Sequence, residues 1–281
     1  MQQDVKMARS NIVNKVRYKH AQLSKKLVST FLIATGFFFS GTVKAADEPL
    51  QLATRAHLPP YVYHDASSGI EVDLIKAIFD EMDVDIQFVQ MPRVRMIQSF
   101  DLGQMDGILT QNTSVSDIGC ATDWYLKHQN VAFTLADTNI ELNSLEDLST
   151  IPVLSFDGAT KYLGVAYRNA MLLNPEYRES TNQQSHIELL YLKRFKVIIG
   201  DEWILRLAQR NHFDSTGAYQ KLTAHYVMPA SLYSARFRDE KVCKAFNKSL
   251  AKLRGTGRYD QIVTNYHQKI MMAGTAIGAM N

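Results

Sequence analysis

The chain has 281 residues, 46% hydrophobic and 21% charged, a composition that fits one large or two modest globular domains and excludes a disordered or fibrous chain. Its net charge of +3 comes from the N-terminus, since residues 1–45 hold eight of the 31 Lys and Arg but one of the 28 acids. The remaining chain carries 23 basic and 27 acidic residues, a formal charge of −4, so nucleic acid has no electrostatic basis as a partner.

The basic start leads into an apolar run of 14 residues, Leu27 to Ser40, and then Gly41-Thr-Val-Lys-Ala45. Basic region, short hydrophobic region and the small residues Val43 and Ala45 read as a secretory signal peptide cut after Ala45, and place the mature protein in the periplasm. A span of the bilayer takes about 20 apolar residues, so a retained anchor is the second reading. Cys120 and Cys243 either form a disulfide or remain buried thiols. The histidines are scattered singly, which argues against a metal site, and no cofactor is expected.

Gln51 to Thr54 starts as a strand, and Arg55 to Tyr63 follows as a loop with aromatics beside Pro59 and Pro60. Ser67-Ser-Gly69 is a turn, after which Ile70, Leu74, Ile75, Ile78, Phe79 and Met82 recur at steps that predict an amphipathic helix. Asp83 to Val89 alternates as a second strand. Met91 to Thr110 is the richest stretch. Pro92 suits a first helical turn, Val94, Ile97, Gln98 and Asp101 follow at helical spacing, and Gly103 supplies the stop. A strand then ends in Thr110, Gln111, Asn112, Thr113 and Ser114, so a helix start with Arg93 and Arg95 meets a polar strand end suited to a small anionic or polar ligand.

Trp124 and Tyr125 come together just before a strand at Asn130 to Leu135, and Pro152 to Phe156 is a strand running into Asp157-Gly-Ala-Thr160 and a helix from Tyr162 to Met171. Such a helix start leaves N–H groups free for a carboxylate, but the glycine and lysine spacing of a nucleotide loop is missing. A helix at His186 to Leu192 precedes a strand, Phe195 to Gly200, which delivers Asp201, Glu202 and Trp203 at its carboxyl end, where α/β sheets collect ligands; Asp201 also suits a helix N-cap. Leu222 to Tyr233 is strand-like, Asp239 to Leu253 an amphipathic helix, Tyr259 to Tyr266 a last short helix, and 271–281 a frayed tail. This alternation predicts α/β architecture with two lobes, each a mainly parallel sheet flanked by helices, and a cleft between them.

The order of these features resembles the family 3 extracellular solute-binding proteins over Leu52 to about Tyr266. Four motifs carry the resemblance: Pro59-Pro-Tyr61, Gly69-Ile-Glu-Val-Asp73-Leu, Gly103-Gln-Met-Asp106-Gly107 and Gly200-Asp201-Glu202. It implies a periplasmic binding protein-like fold of type II, with lobe one from 46–133 and 224–281 and lobe two from 134–223. It also implies a monomer that hands a small solute to an ABC permease or a membrane sensor. By position, Leu58 to Tyr61 make one wall, Thr110 and Thr113 bring hydroxyls, Thr160 the lobe-two helix start, and Asp201 the acid for a ligand ammonium. Gln111 and Trp124 complete the candidate set.

The family's amino-acid binders place a carboxylate-binding arginine after the Thr110 strand, whereas Thr113 to Cys120 holds no Arg or Lys. Pro92-Arg-Val-Arg95 is the replacement, with Arg95 the first choice and Arg93 the second. The alternative to a receptor is a dehydratase-type enzyme on the same scaffold with Asp201 or Glu202 as general acid. A third reading is a vestigial cleft.

Overall fold

A computed structural model describes residues 48–112 and 117–278, so the expected signal peptide and the candidate Thr113 lie outside the described residues. In chain order it runs β1 (Leu50–Arg55), α1 (Ile70–Asp80), β2 (Ile86–Met91), α2 (Arg93–Asp101), β3 (Gly107–Gln111), β4 (Cys120–His128) and β5 (Asn130–Leu135). Then come β6 (Val153–Phe156), α3 (Ala159–Tyr162), α4 (Gly164–Leu172), β7 (Tyr177–Ser180), α5 (Gln184–Tyr191), β8 (Val197–Asp201) and α6 (Glu202–Thr216). β9 (Leu222–His225), β10 (Ser231–Phe237), α7 (Glu240–Gly255) and α8 (Arg258–Gly278) complete it.

Two five-stranded sheets result, ordered β2-β1-β3-β10-β4 and β7-β6-β8-β5-β9. Both are mixed. In the first, β1 pairs parallel with β2 and β3, and β10 runs against β3 and β4. The second repeats the plan, with β5 running against β8 and β9. The reversed strand of each sheet is the one that enters from the other lobe. Because β5 pairs from Asn130 with Asp201 onward, the expected boundary at 133/134 cuts through a strand, and the chain crosses at Gln129. Likewise the stretch 222–233 is two strands, β9 in the second sheet and β10 in the first, so the return crossing lies after His225.

Covering helices explain why the strands are apolar on both faces. In lobe one, Leu52, Ile75, Phe79, Phe237 and Phe246 pack between the sheet, α1 and α7, while Ala53, Met96, Phe100 and Ile108 pack under α2 on the other side. In lobe two, Ala132, Val153 and Val197 of the sheet pack with Tyr167 of α4, and Phe133, Leu154 and Ile198 pack with Ile187 of α5 and Leu205 of α6. Full burial of each large side chain contributes about 1.5–3 kcal/mol.

β4, not among the strands expected from the sequence, lacks a strand's strict alternation. Asp123 and Trp124 are both exposed and Tyr125 and Leu126 both buried, where a register shift against β10 marks a bulge. The last helix, expected at 259–266 with a frayed tail from 271, runs on to Gly278. Cys120 and Cys243 are joined, fastening the start of β4 to α7 across a separation of 123 residues that includes all of lobe two. Closing so long a loop removes chain entropy mainly from the unfolded state. Gly69 holds the loop that carries Tyr61. At its φ of +135° a Cβ would lie 2.1 Å from the Tyr61 carbonyl oxygen, so only glycine fits.

Candidate ligand-binding cavity

A cavity of about 340 Å³ opens between the lobes at the carboxyl ends of β1, β3, β6 and β8. Lobe one brings Arg55, Arg93, Thr110, Asn112 and Tyr233 to its wall. Lobe two brings Phe156, Asp157, Tyr162, Gln183 and Asp201.

Arg93 opens α2 and donates through Nη1 to the Thr110 carbonyl at 3.1 Å and through Nη2 to Asn112 Oδ1 at 3.2 Å. Its guanidinium also stands 5.6 Å from the Tyr162 ring of lobe two. Arg95 is exposed and is not part of the wall, which corrects the first choice made from the sequence. The reason is helix phase. Met96, Ser99 and Phe100 are the buried face of α2, whereas Val94 is 68% and Leu102 74% exposed, so the stripe through Val94 that the sequence suggested points outward. Positions two apart differ by about 200° around a helix, so Arg93 and Arg95 cannot share one cavity.

Arg55, not anticipated, ends β1 beside Arg93. Its guanidinium has no hydrogen bond or ion pair among the described residues, and burial, then the neighbouring charge of Arg93, lowers its pKa. In the sequence, the signal for it is a cation at the carboxyl end of a strand.

Thr110 lines the cavity at a φ of +57°, with its hydroxyl donated at 2.7 Å to Glu71 Oε1. Tyr125 donates to the same oxygen and accepts the Thr110 N–H at 3.0 Å. That hydroxyl therefore braces the strand end and leaves the Thr110 carbonyl to hold Arg93. Gln111 is buried, bonds back to the Leu109 carbonyl and is not part of the wall.

Asp201 caps α6, accepting from the Trp203 and Ile204 N–H groups at 3.0 and 3.1 Å, from Tyr61 Oη at 2.9 Å and from the Gln129 N–H at 3.1 Å. Burial pushes its pKa up to about 7 against those hydrogen bonds. Tyr61 is thus a support behind the wall, and its ring stacks on His128 at 3.9 Å. His128 is 6% exposed, and burial together with Arg55 pushes its pKa down to about 3, so it is neutral.

Thr160 is also placed differently from expectation. Its N–H and hydroxyl both donate to Glu179 Oε1 at 2.9 Å, and the Gly158 N–H donates to Glu179 Oε2 at 2.7 Å. The helix start that suited a ligand carboxylate is occupied by a carboxylate of the chain itself. Glu202 leaves the wall as well, held by Arg206 at 2.8 Å and by Tyr226 Oη at 3.1 Å.

Trp124 lies on the outer side of β4, with Arg254 3.9 Å from its ring centroid. Trp124→Leu should cost about 0.5–1 kcal/mol of stability from the lost cation–π contact and leave any ligand response unchanged. Thermal melts with and without ligand test this, and a lost response would place Trp124 at the site after all.

Two lobes with mixed sheets and a polar cavity between them define the solute-binding class of α/β protein. Residues 50–269 match the model of the bacterial extracellular solute-binding proteins, family 3, and the chain belongs to that family. The L-arginine-binding protein of Pseudomonas aeruginosa is 22% identical over 238 residues, covering 79% of this chain and 89% of that protein. Among solved structures, the GluR0 ligand-binding core in complex with L-glutamate is similar at a TM-score of 0.63 and 16% identity, covering 79% of this chain and 99% of that one. A histidine kinase sensor domain similar to periplasmic binding proteins reaches 0.60 at 19% identity, covering 78% and 95%. Among the described residues, no helix is long and apolar enough to cross a membrane.

Proposed function

We propose that this protein is a periplasmic receptor, exported on residues 1–45 and cut after Ala45, that captures a small polar solute bearing amino-acid-like charges. It acts as a monomer, without catalysis, and passes the solute to an inner-membrane ABC permease or reports its capture to a membrane sensor. One lobe consists of residue 46 through β4 with β10 to the C-terminus, and the other of β5 through β9. The observation that carries this reading is that Arg55 and Arg93 from one lobe and Asp201 from the other line a single cavity of about 340 Å³. A solute that touches both lobes favours the closed arrangement, the hinge behaviour of periplasmic binding proteins. A structural neighbour that is the substrate-binding protein of an amino acid ABC transporter and the histidine kinase sensor domain support the two choices of partner. An enzyme reading has less support, since Glu202 is committed to Arg206 and Tyr226, and Asp201 to four hydrogen bonds that hold it as the cap of α6.

A thermal-shift screen of amino acids, organic acids, polyamines and short peptides tests the proposal. At about 100 times the dissociation constant, a ligand stabilises by about 2.7 kcal/mol, a rise of roughly 5–10 °C for a protein of this size. A flat response to every class overturns it.

A further inference from the structure

We infer that the solute carries net negative charge, as a small dicarboxylate with or without an α-amino group, and that Arg55 and Arg93 hold its acidic groups; this rests on the receptor reading above. The two guanidiniums are neighbours on the lobe-one wall, and neither is in an ion pair or hydrogen-bonded to a carboxylate among the described residues; the acid that acts on Arg55 is the fully buried Glu71 behind the wall, whose charged form burial disfavours and whose Oε1 is taken by Thr110 and Tyr125. Among the described residues Arg93 donates to a carbonyl and a side-chain amide, and the Arg55 guanidinium donates to none. Two like charges held side by side in a partly buried cavity repel each other and favour an anion between them.

The acids of the cavity do not balance this pair. Asp157 is exposed at the rim, where water screens it. Asp201 is 3% exposed, and its two oxygens already accept four hydrogen bonds, from Tyr61, Gln129, Trp203 and Ile204. It adds at most one negative charge, and less than that near neutrality, because burial sets its pKa at about 7. Counting the buried residues that line the cavity, Arg55, Arg93 and Asp201, an acidic amino acid of charge −1 brings the sum to zero when Asp201 is ionised. With Asp201 protonated, a dicarboxylate lacking the amino group does the same. A cationic amino acid instead adds a third positive charge beside the two guanidiniums, an expensive state for buried groups.

Lobe two sharpens the assignment by what it withholds. Its helix start at Gly158 and Thr160 is filled by Glu179, which also accepts from Tyr177 Oη at 2.7 Å. That carboxylate is held below its ordinary pKa by these hydrogen bonds, which outweigh its burial, so it remains ionised and in place at neutral pH. The solute's carboxylates are therefore met on lobe one. For an amino group, lobe two offers Asp201 and the buried Gln183 Oε1, which has no partner among the described residues. Phe156, Tyr162 and Tyr233 enclose the carbon chain between these polar ends.

Acids paired with their monoamides test the inference by calorimetry on the purified protein: L-aspartate with L-asparagine, L-glutamate with L-glutamine, succinate with succinamate, and glutarate with glutaramate, and L-arginine alone. Each pair keeps shape and removes one charge. The expected result is that at least one acid binds roughly tenfold to hundredfold tighter than its amide and tighter than arginine, the scale of one charge-assisted hydrogen bond. The acid with or without an amino group that wins shows whether lobe two reads an ammonium. Arg55→Gln should bring that acid-to-amide ratio close to one, with the circular dichroism and ligand-free melting of the parent. Equal or tighter binding of an amide or of arginine, or a ratio unchanged in Arg55→Gln, overturns the inference and leaves the receptor reading standing. If no ligand of the screen or of these pairs binds, the receptor reading falls and the inference with it.

Discussion

Arg93→Ala is expected to weaken solute binding by roughly a hundredfold or more, while Arg95→Ala leaves it unchanged. The two substitutions remove the same charge from the same helix two positions apart, so net charge and helix propensity change alike. They differ in where the charge sits. Arg93 is held over the cavity by the Thr110 carbonyl and Asn112 Oδ1, and removing it takes a cation from the place where a carboxylate would be bound. Arg95 lies on the exposed side of α2 with Val94, and bulk water already solvates it. Titration calorimetry of the two variants with whichever solute the screen finds decides the matter. Similar losses in both would mean that α2 acts through its overall charge, and a loss confined to Arg95→Ala would return the site to the other face of the helix.

The second large effect belongs to Asp201. Its pKa is raised by burial from 3.8 to about 7 in the folded protein. Below pH 3.8 the carboxyl is protonated in both folded and unfolded states and contributes no pH dependence. Between 3.8 and about 7 the folded protein keeps a proton that the unfolded chain releases, so this group makes stability fall as pH rises. Above about pH 7 the loss is complete and amounts to roughly 4 kcal/mol. Asp201→Asn keeps an acceptor for the Trp203 and Ile204 N–H groups, since asparagine is as good an N-cap, but it does not titrate. Denaturant unfolding of the ligand-free protein at pH 4 and pH 7.5 should therefore show the parent losing stability relative to Asp201→Asn by up to that amount. Parallel pH profiles for the two proteins would mean that Asp201 is ionised as easily when folded as when unfolded.

Each of these residues was legible to a different degree. Asp201 follows a short apolar run that ends at Gly200, and a strand that closes on an acid before a helical pattern marks both a cap and a site wall. That information is local. Arg55 and Arg93 come together because β1 and β3 are neighbours in the sheet and α2 packs its start against the end of β3. Their separation in sequence carries no trace of that contact. Thr160 was expected to be available, and the residue that occupies it, Glu179, comes from β7, a four-residue edge strand with no apolar pattern to announce it. Tyr61 was placed in the wall by the family motif, but its hydroxyl reaches across to Asp201 from behind, 140 positions away in sequence.

The amino-acid sequence by itself determined the α/β class, the order of most strands and helices, the motifs that mark the family and the presence of Asp201 at a strand end. These follow from periodicities and turn residues that act over a few positions, because local backbone geometry decides which side chains can be buried together. Only the tertiary structure decided which arginine reaches the cavity, that Arg55 joins it, that Glu179 fills the second helix start, and where the chain crosses between lobes. Those outcomes depend on how α2 is rotated against its sheet and on which remote strand supplies a partner. The physical reason is that burial and charge pairing are summed over the whole packed protein, so a side chain's neighbours exist only once distant segments have met.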